Sequence, residues 1–144
     1  MTAVDTTVRT QSEAISFEFD LQHAPEKVWR ALSDPELLSQ WLLPVVGLTF
    51  EPGATFTLQA PPKPGWDGTV NCRFLEIEAH RKLRYTWSVP FLDTVVTFTL
   101  TASGTLLSLV HSGFKPTQKQ NFAGARFGWR MMGGKLVELL PRIP

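Results

Sequence analysis

Apolar residues occupy every second position from Ile15 to Leu21 (Ile15, Phe17, Phe19, Leu21), the pattern of a strand with one buried face. The period then changes. Val28, Trp29, Ala31 and Leu32 fall on one helical stripe behind Pro25, whose missing N–H is harmless in a first turn. Leu37, Leu38 and Trp41 form a second short stripe behind Pro35, with Ser33 or Asp34 available as its cap. Beyond Pro44 the alternation returns and predicts strands over Leu48–Phe50, Thr55–Leu58, Thr69–Glu78, Leu83–Val89, Thr94–Thr101 and Thr105–His111. Strand parity puts Leu83, Tyr85 and Trp87 on one face, and Leu107, Leu109 and His111 likewise. Glu51–Ala54, His80–Lys82 and Ser103-Gly104 read as turns. Ala60–Gly65 reads as a loop, since its three prolines remove ladder donors.

The last pattern is helical, from about Lys119 to Leu140. Phe122, Ala125, Trp129, Met132, Leu136 and Leu139 recur along one face, and Pro141 marks the end. Gly124, Gly128, Gly133 and Gly134 interrupt this helix, each at a cost of about 0.5–1 kcal/mol relative to alanine. A close backbone approach to the sheet, or a bend, would account for them. The order of elements predicts an α+β layer: a curved antiparallel sheet of about six to seven strands wrapped around a C-terminal helix, all helices on one side. Where such a sheet and helix do not close on each other, a cavity remains.

Composition narrows the classes. The chain has 144 residues, 43% hydrophobic and 19% charged, enough for one domain with a real core. Residues 1–13 are polar and aperiodic and read as a flexible tail, leaving 14–144 as the single domain. A net charge of +1 gives no argument for nucleic acid. No apolar run approaches the roughly 20 residues of a membrane span, so no membrane insertion is expected. The tail lacks the apolar core of a secretory signal, and a cytoplasmic location is expected. Cys72 is the only cysteine, so no intrachain disulfide forms. No Cys/His spacing suits zinc, and neither metal nor cofactor is expected.

Several runs carry a resemblance: Ala24-Pro25-Glu26-Lys27-Val28-Trp29-Arg30-Ala31-Leu32, Trp41, Gly68-Thr69-Val70, Phe74-Leu75-Glu76-Ile77 and Leu83-Arg84-Tyr85-Thr86-Trp87. Gly104 through Phe114, and Gly128-Trp129, complete it. Together they resemble the START-like (SRPBCC, helix-grip) superfamily, in the branch named after the activator of the heat-shock protein ninety ATPase, over roughly residues 14–140. The resemblance implies a helix-grip fold. It does not imply one activity, because members include co-chaperone domains, small-molecule binders, resistance proteins and cyclases. Eukaryotic co-chaperones of the branch carry a further N-terminal domain, for which 144 residues leave no room. The Pro61–Trp66 segment stands where relatives often have a short polar hairpin, at the expected cavity mouth.

Candidate chemistry is sparse. His111 points inward by parity, as a polar anchor or acid/base group in an apolar cavity, or as a structural histidine holding the Ser112-Gly113 turn. Tyr85 is the other acid/base candidate. The aromatic residues Trp41, Phe56, Trp66, Phe74, Tyr85, Trp87, Phe98 and Phe127 are expected to line the cavity, with Asn71, His111 and Met131 beside them. The same side chains could equally fill a core. Cys72 reads as a buried small hydrophobe, and Arg126 and Arg130 as a solvated helix face. Three functions fit: a binder of a small apolar or aromatic ligand, a co-chaperone-like interaction protein, or a cyclase- or hydrolase-type enzyme. Self-association into a homodimer and engagement of a chaperone stay open.

Overall fold

A computed structural model describes residues 2–8, 13–101 and 106–144. The elements in order are β1 (Thr2–Asp5), β2 (Ala14–Asp20), α1 (Pro25–Ser33), α2 (Pro35–Trp41), β3 (Val45–Val46), β4 (Thr55–Gln59), β5 (Thr69–Glu78), β6 (Lys82–Val89), β7 (Leu92–Leu100), β8 (Leu106–Ser112) and α3 (Lys119–Leu139). A 3-10 turn, Leu140–Arg142, follows. The strands form one antiparallel sheet of order β1-β2-β8-β7-β6-β5-β4-β3, eight strands where six to seven were expected. This is the helix-grip arrangement.

Register explains why one face is apolar. Ile15, Phe17 and Phe19 of β2 stand opposite His111, Leu109 and Leu107 of β8. The same three β8 residues face Val96, Phe98 and Leu100 of β7, and Leu83 and Tyr85 of β6 face Phe98 and Val96. A one-residue slip would turn all of these side chains to solvent. Between β5 and β6 the register shifts between Phe74 and Glu76, leaving Leu75 as an extra residue. Such a bulge bends the strand, which helps the sheet curl around α3.

The short helices close one end. Asp34 caps α2 by accepting from the Glu36 N–H at 2.9 Å. The Trp41 indole N–H donates to the Ala31 carbonyl at 2.8 Å, tying α2 to α1. Helix α3 buries Phe122, Trp129, Gly133, Leu136 and Leu139. A Cβ on Gly133 would lie 2.6 Å from Phe19 Cε1, so the expected close approach occurs there, against β2. At Gly124, about two and a half turns nearer the helix start, a Cβ would meet nothing within 4 Å. Helix and sheet are therefore in contact at one end and apart at the other.

Three expectations change. Leu48–Phe50 is not a strand; Phe50 packs edge-on against Trp29 (5.9 Å) and Phe74 (5.0 Å) from irregular backbone. The strand in that region is Val45–Val46, paired with β4. Within the segment expected as a loose tail, Thr2–Asp5 pairs with Phe17–Asp20 of β2. Arg126 and Arg130, expected as a solvated face, both reach Asp5: Arg126 Nε donates to Asp5 Oδ2 at 2.6 Å and Arg130 Nη2 at 3.3 Å. Burial pushes the Asp5 carboxyl up, but hydrogen bonds from Arg126 and Thr7 outweigh it and hold it down at about 2. The Ser103-Gly104 turn lies outside the described residues.

Candidate functional site: an aromatic cavity at the open end of the grip

The separation of α3 from the sheet leaves an open-mouthed cavity of about 650 Å³. Its floor is the helix face carrying Gln120, Asn121, Gly124, Ala125, Gly128 and Met132. Its inner wall is Trp87, His111 and Trp129, and its rim is Lys63, Trp66 and the β6–β7 turn, Pro90 and Phe91.

The rim loop is braced by its own turn chemistry. Lys63 and Trp66 exchange backbone hydrogen bonds, each 2.9 Å, around Pro64 and a left-handed Gly65 (φ +83°), the residue pair a type II turn prefers. Trp66 is fixed when its indole N–H donates to the Thr69 carbonyl at 2.9 Å. Gln59 Nε2 reaches back to the Asp67 carbonyl at 2.9 Å. Gly68 (φ +87°) closes the loop where a Cβ would collide with the Ala60 carbonyl. The Pro61–Trp66 segment is thus a braced rim carrying one large aromatic.

The inner wall is a hydrogen-bond chain with a single consistent proton arrangement. The Trp129 indole can only donate, so His111 Nδ1 accepts from it at 2.8 Å. In the neutral ring Nε2 then carries the proton and donates to Thr94 Oγ1 at 2.7 Å. The Thr94 hydroxyl in turn donates to the Trp87 carbonyl at 2.7 Å. His111 is 1% exposed, and burial pushes its pKa down to about 3. Both nitrogens are engaged and burial favours the neutral ring, the arrangement of a structural histidine. Its bonds organise Trp129 and β7; the expectation that it anchors the Ser112-Gly113 turn is not the arrangement found.

The remaining expected residues divide. Trp66, Trp87 and His111 stand at the cavity. Trp41, Phe56, Phe74, Tyr85 and Phe98 do not; they fill the core, each no more than 5% exposed. Their rings interlock, with Phe56–Phe74 at 4.7 Å, Phe56–Tyr85 at 5.4 Å and Trp41–Phe98 at 6.2 Å between centroids. Burial and the nearby Cys72 push the Tyr85 phenol well above its usual range. Burial likewise pushes the Cys72 thiol up to about 12, consistent with a small buried hydrophobe. Asn71 is exposed on β5, its parity opposite to the buried Val70 and Cys72. Phe127 and Met131 lie on the outer face of α3, 62% and 54% exposed; Phe127 lines a shallow 300 Å³ hollow there with Arg126. The methionine at the cavity is Met132, one residue and about 100° further round the helix.

Sequence reading missed the α3 floor. Its signal was present: Gly124 and Gly128 are four apart and share a face. Thr94 was legible only as an inward position of β7, in phase with Val96 and Phe98; the rim residues Pro90 and Phe91 gave no signal, since turn residues carry no periodicity.

Residues 22–141 match the family model described as activator of Hsp90 ATPase homolog 1-like protein. The chain belongs to that family. Solved structures agree. Protein MLL2253 from Mesorhizobium loti is 36% identical with a TM-score of 0.80, over 90% of this chain and 97% of that one. Protein CV1439 from Chromobacterium violaceum is 25% identical with a TM-score of 0.71, over 89% and 97%. CalU16 from Micromonospora echinospora is 25% identical with a TM-score of 0.69, over 96% and 83%. No curated protein matches the chain.

Proposed function

We propose that this protein is a cytoplasmic binder of a small, largely apolar molecule, held in the cavity between α3 and strands β6–β8. The observation that carries this reading is the room above Gly124 and Gly128. A Cβ at Gly124 meets nothing within 4 Å, and at Gly128 only Met132 Cε at 3.8 Å. Neither glycine is demanded by a protein neighbour, yet each weakens the helix by about 1 kcal/mol relative to alanine. Both line the cavity, unlike Gly134, and its volume of about 650 Å³ falls within the range of small-molecule sites. The wall favours binding over proton transfer. Its titratable side chains are Lys63, exposed at the rim, and the fully engaged His111. Among the described residues no helix is long and apolar enough to cross a membrane.

The neutral dye N-phenyl-1-naphthylamine tests the reading, because its fluorescence rises in apolar surroundings. The wild-type protein is expected to enhance it saturably. Gly124→Leu, which fills the open space, is expected to weaken binding about tenfold or more without lowering the thermal midpoint, since leucine is the better helix former. No enhancement, or enhancement unchanged in Gly124→Leu, counts against the cavity as a binding site.

A further inference from the structure

The hydrogen-bonding groups of the wall specify what kind of molecule it suits. Three indoles face the cavity. The Trp129 N–H is held by His111 and the Trp66 N–H by the Thr69 carbonyl. The Trp87 N–H makes no hydrogen bond among the described residues, although its ring packs 5.6 Å from His111 and 5.5 Å from Trp129. Among these residues no sealed side-chain polar atom lacks a partner, so this N–H must open onto accessible space, and the space Trp87 adjoins is the cavity. An indole N–H is a donor only. On the inner wall both His111 nitrogens are engaged, as is the Thr94 hydroxyl behind them; the other polar side chains lining the cavity, Lys63, Gln120 and Asn121, stand at its exposed margin.

Charge is excluded from the same region. The sole cationic side chain among the lining residues is Lys63, on the exposed rim loop, and burying an unpaired carboxylate or ammonium against three indoles is strongly unfavourable. Shape follows from the remaining surfaces. The floor at Gly124 and Gly128 is bare helix backbone, and the walls are aromatic faces, which suit planar rings stacked or edge-on.

We propose that the cavity recognises a neutral, planar, aromatic molecule bearing one hydrogen-bond acceptor, such as a ring carbonyl, which takes the Trp87 N–H at the inner wall. This inference rests on the cavity being a ligand site and adds the chemistry of the ligand. Three probes separate the two claims: 9-fluorenone, fluorene (the same planar frame without the acceptor) and decanoate (apolar but charged). They are titrated into ¹⁵N-labelled wild-type protein and Trp87→Phe. Fluorenone is expected to bind about fivefold or more tightly than fluorene and to move the Trp87 indole resonance downfield, which fluorene does not. In Trp87→Phe fluorenone is expected to fall to the level of fluorene; should that variant not fold, the wild-type resonance decides. Equal binding of fluorene and fluorenone, an unmoved Trp87 resonance, or tighter binding of decanoate than of either overturns the proposal while leaving the cavity a binding site. Failure of all three probes to bind overturns the cavity reading itself.

Discussion

Two residues carry most of the testable physics at the smallest scale. His111 is neutral when folded, with its pKa at about 3, but in the unfolded chain it takes up a proton near its ordinary 6.5. The folded state therefore binds fewer protons across that window, and stability falls as pH drops from about 6.5 toward 3, by about 1.4 kcal/mol per unit from this group. Chemical denaturation followed between pH 7 and 4 is expected to show that slope, and His111→Gln to flatten it. Parity alone placed His111 inward. Its partners were illegible, because Thr94 and Trp129 lie 17 and 18 residues away on other elements. Phe91 is the second case. It follows Pro90 in the β6–β7 turn, has φ +66° and is 100% exposed, a left-handed conformation that favours glycine. Its carbonyl is pinned by Gln118 Nε2 at 2.9 Å. Phe91→Gly is expected to raise stability by about 1 kcal/mol, measured as the thermal midpoint.

Among the elements, α3 gives the sharpest contrast, because adjacent glycines should answer oppositely. Gly133→Ala drives a methyl into Phe19, whose Cε1 and Cζ would stand at 2.6 and 3.0 Å and whose ring is 1% exposed. Overpacking of that kind costs about 1–3 kcal/mol. Gly134→Ala meets nothing within 4 Å on an exposed position, and should gain about 0.5–1 kcal/mol from helix propensity. Equal shifts in the two midpoints would refute the close approach of α3 to β2. The helix itself was legible, since its apolar stripe recurs over 21 residues. So were the long strands, whose alternation survives in the register. Leu48–Phe50 misled because its side chains are partly buried without any ladder pairing, and periodicity reports burial, not hydrogen bonds. Val45–Val46 is too short to alternate at all. The cavity-facing aromatics were the least legible, because inward parity does not distinguish the filled end of the grip, with Tyr85 and Phe98, from the open end, with Trp87.

For the molecule as a whole, the sheet and its helix are joined at the N-terminal edge by Asp5. The bonds to Arg126 and Arg130 span 121 and 125 residues, a pairing that no local pattern encodes. Asp5 is held below its ordinary 3.8, at about 2. Its contribution is therefore present above about pH 4 and lost as pH falls toward 2. Asp5→Asn is expected to destabilise by about 1 kcal/mol at pH 7, with the difference vanishing in that acid range. Faster amide exchange at Ala3 and Val4 than in the wild type would locate the loss in β1.

The ends of the sheet have a consequence for self-association. One terminal strand, β3, has two residues and offers little to a neighbouring chain. The other, β1, has four, and pairs with four of the seven residues of β2. Once β1 detaches, β2 presents a longer unpaired rim with Phe17 and Phe19 on its inner side, the kind of template on which a second chain can add a strand. By holding β1 to α3, the Asp5–arginine cluster keeps that rim covered. In acid, where Asp5 takes up a proton and His111 weakens the fold beneath it, filament formation should rise with protein concentration before the global unfolding transition is reached.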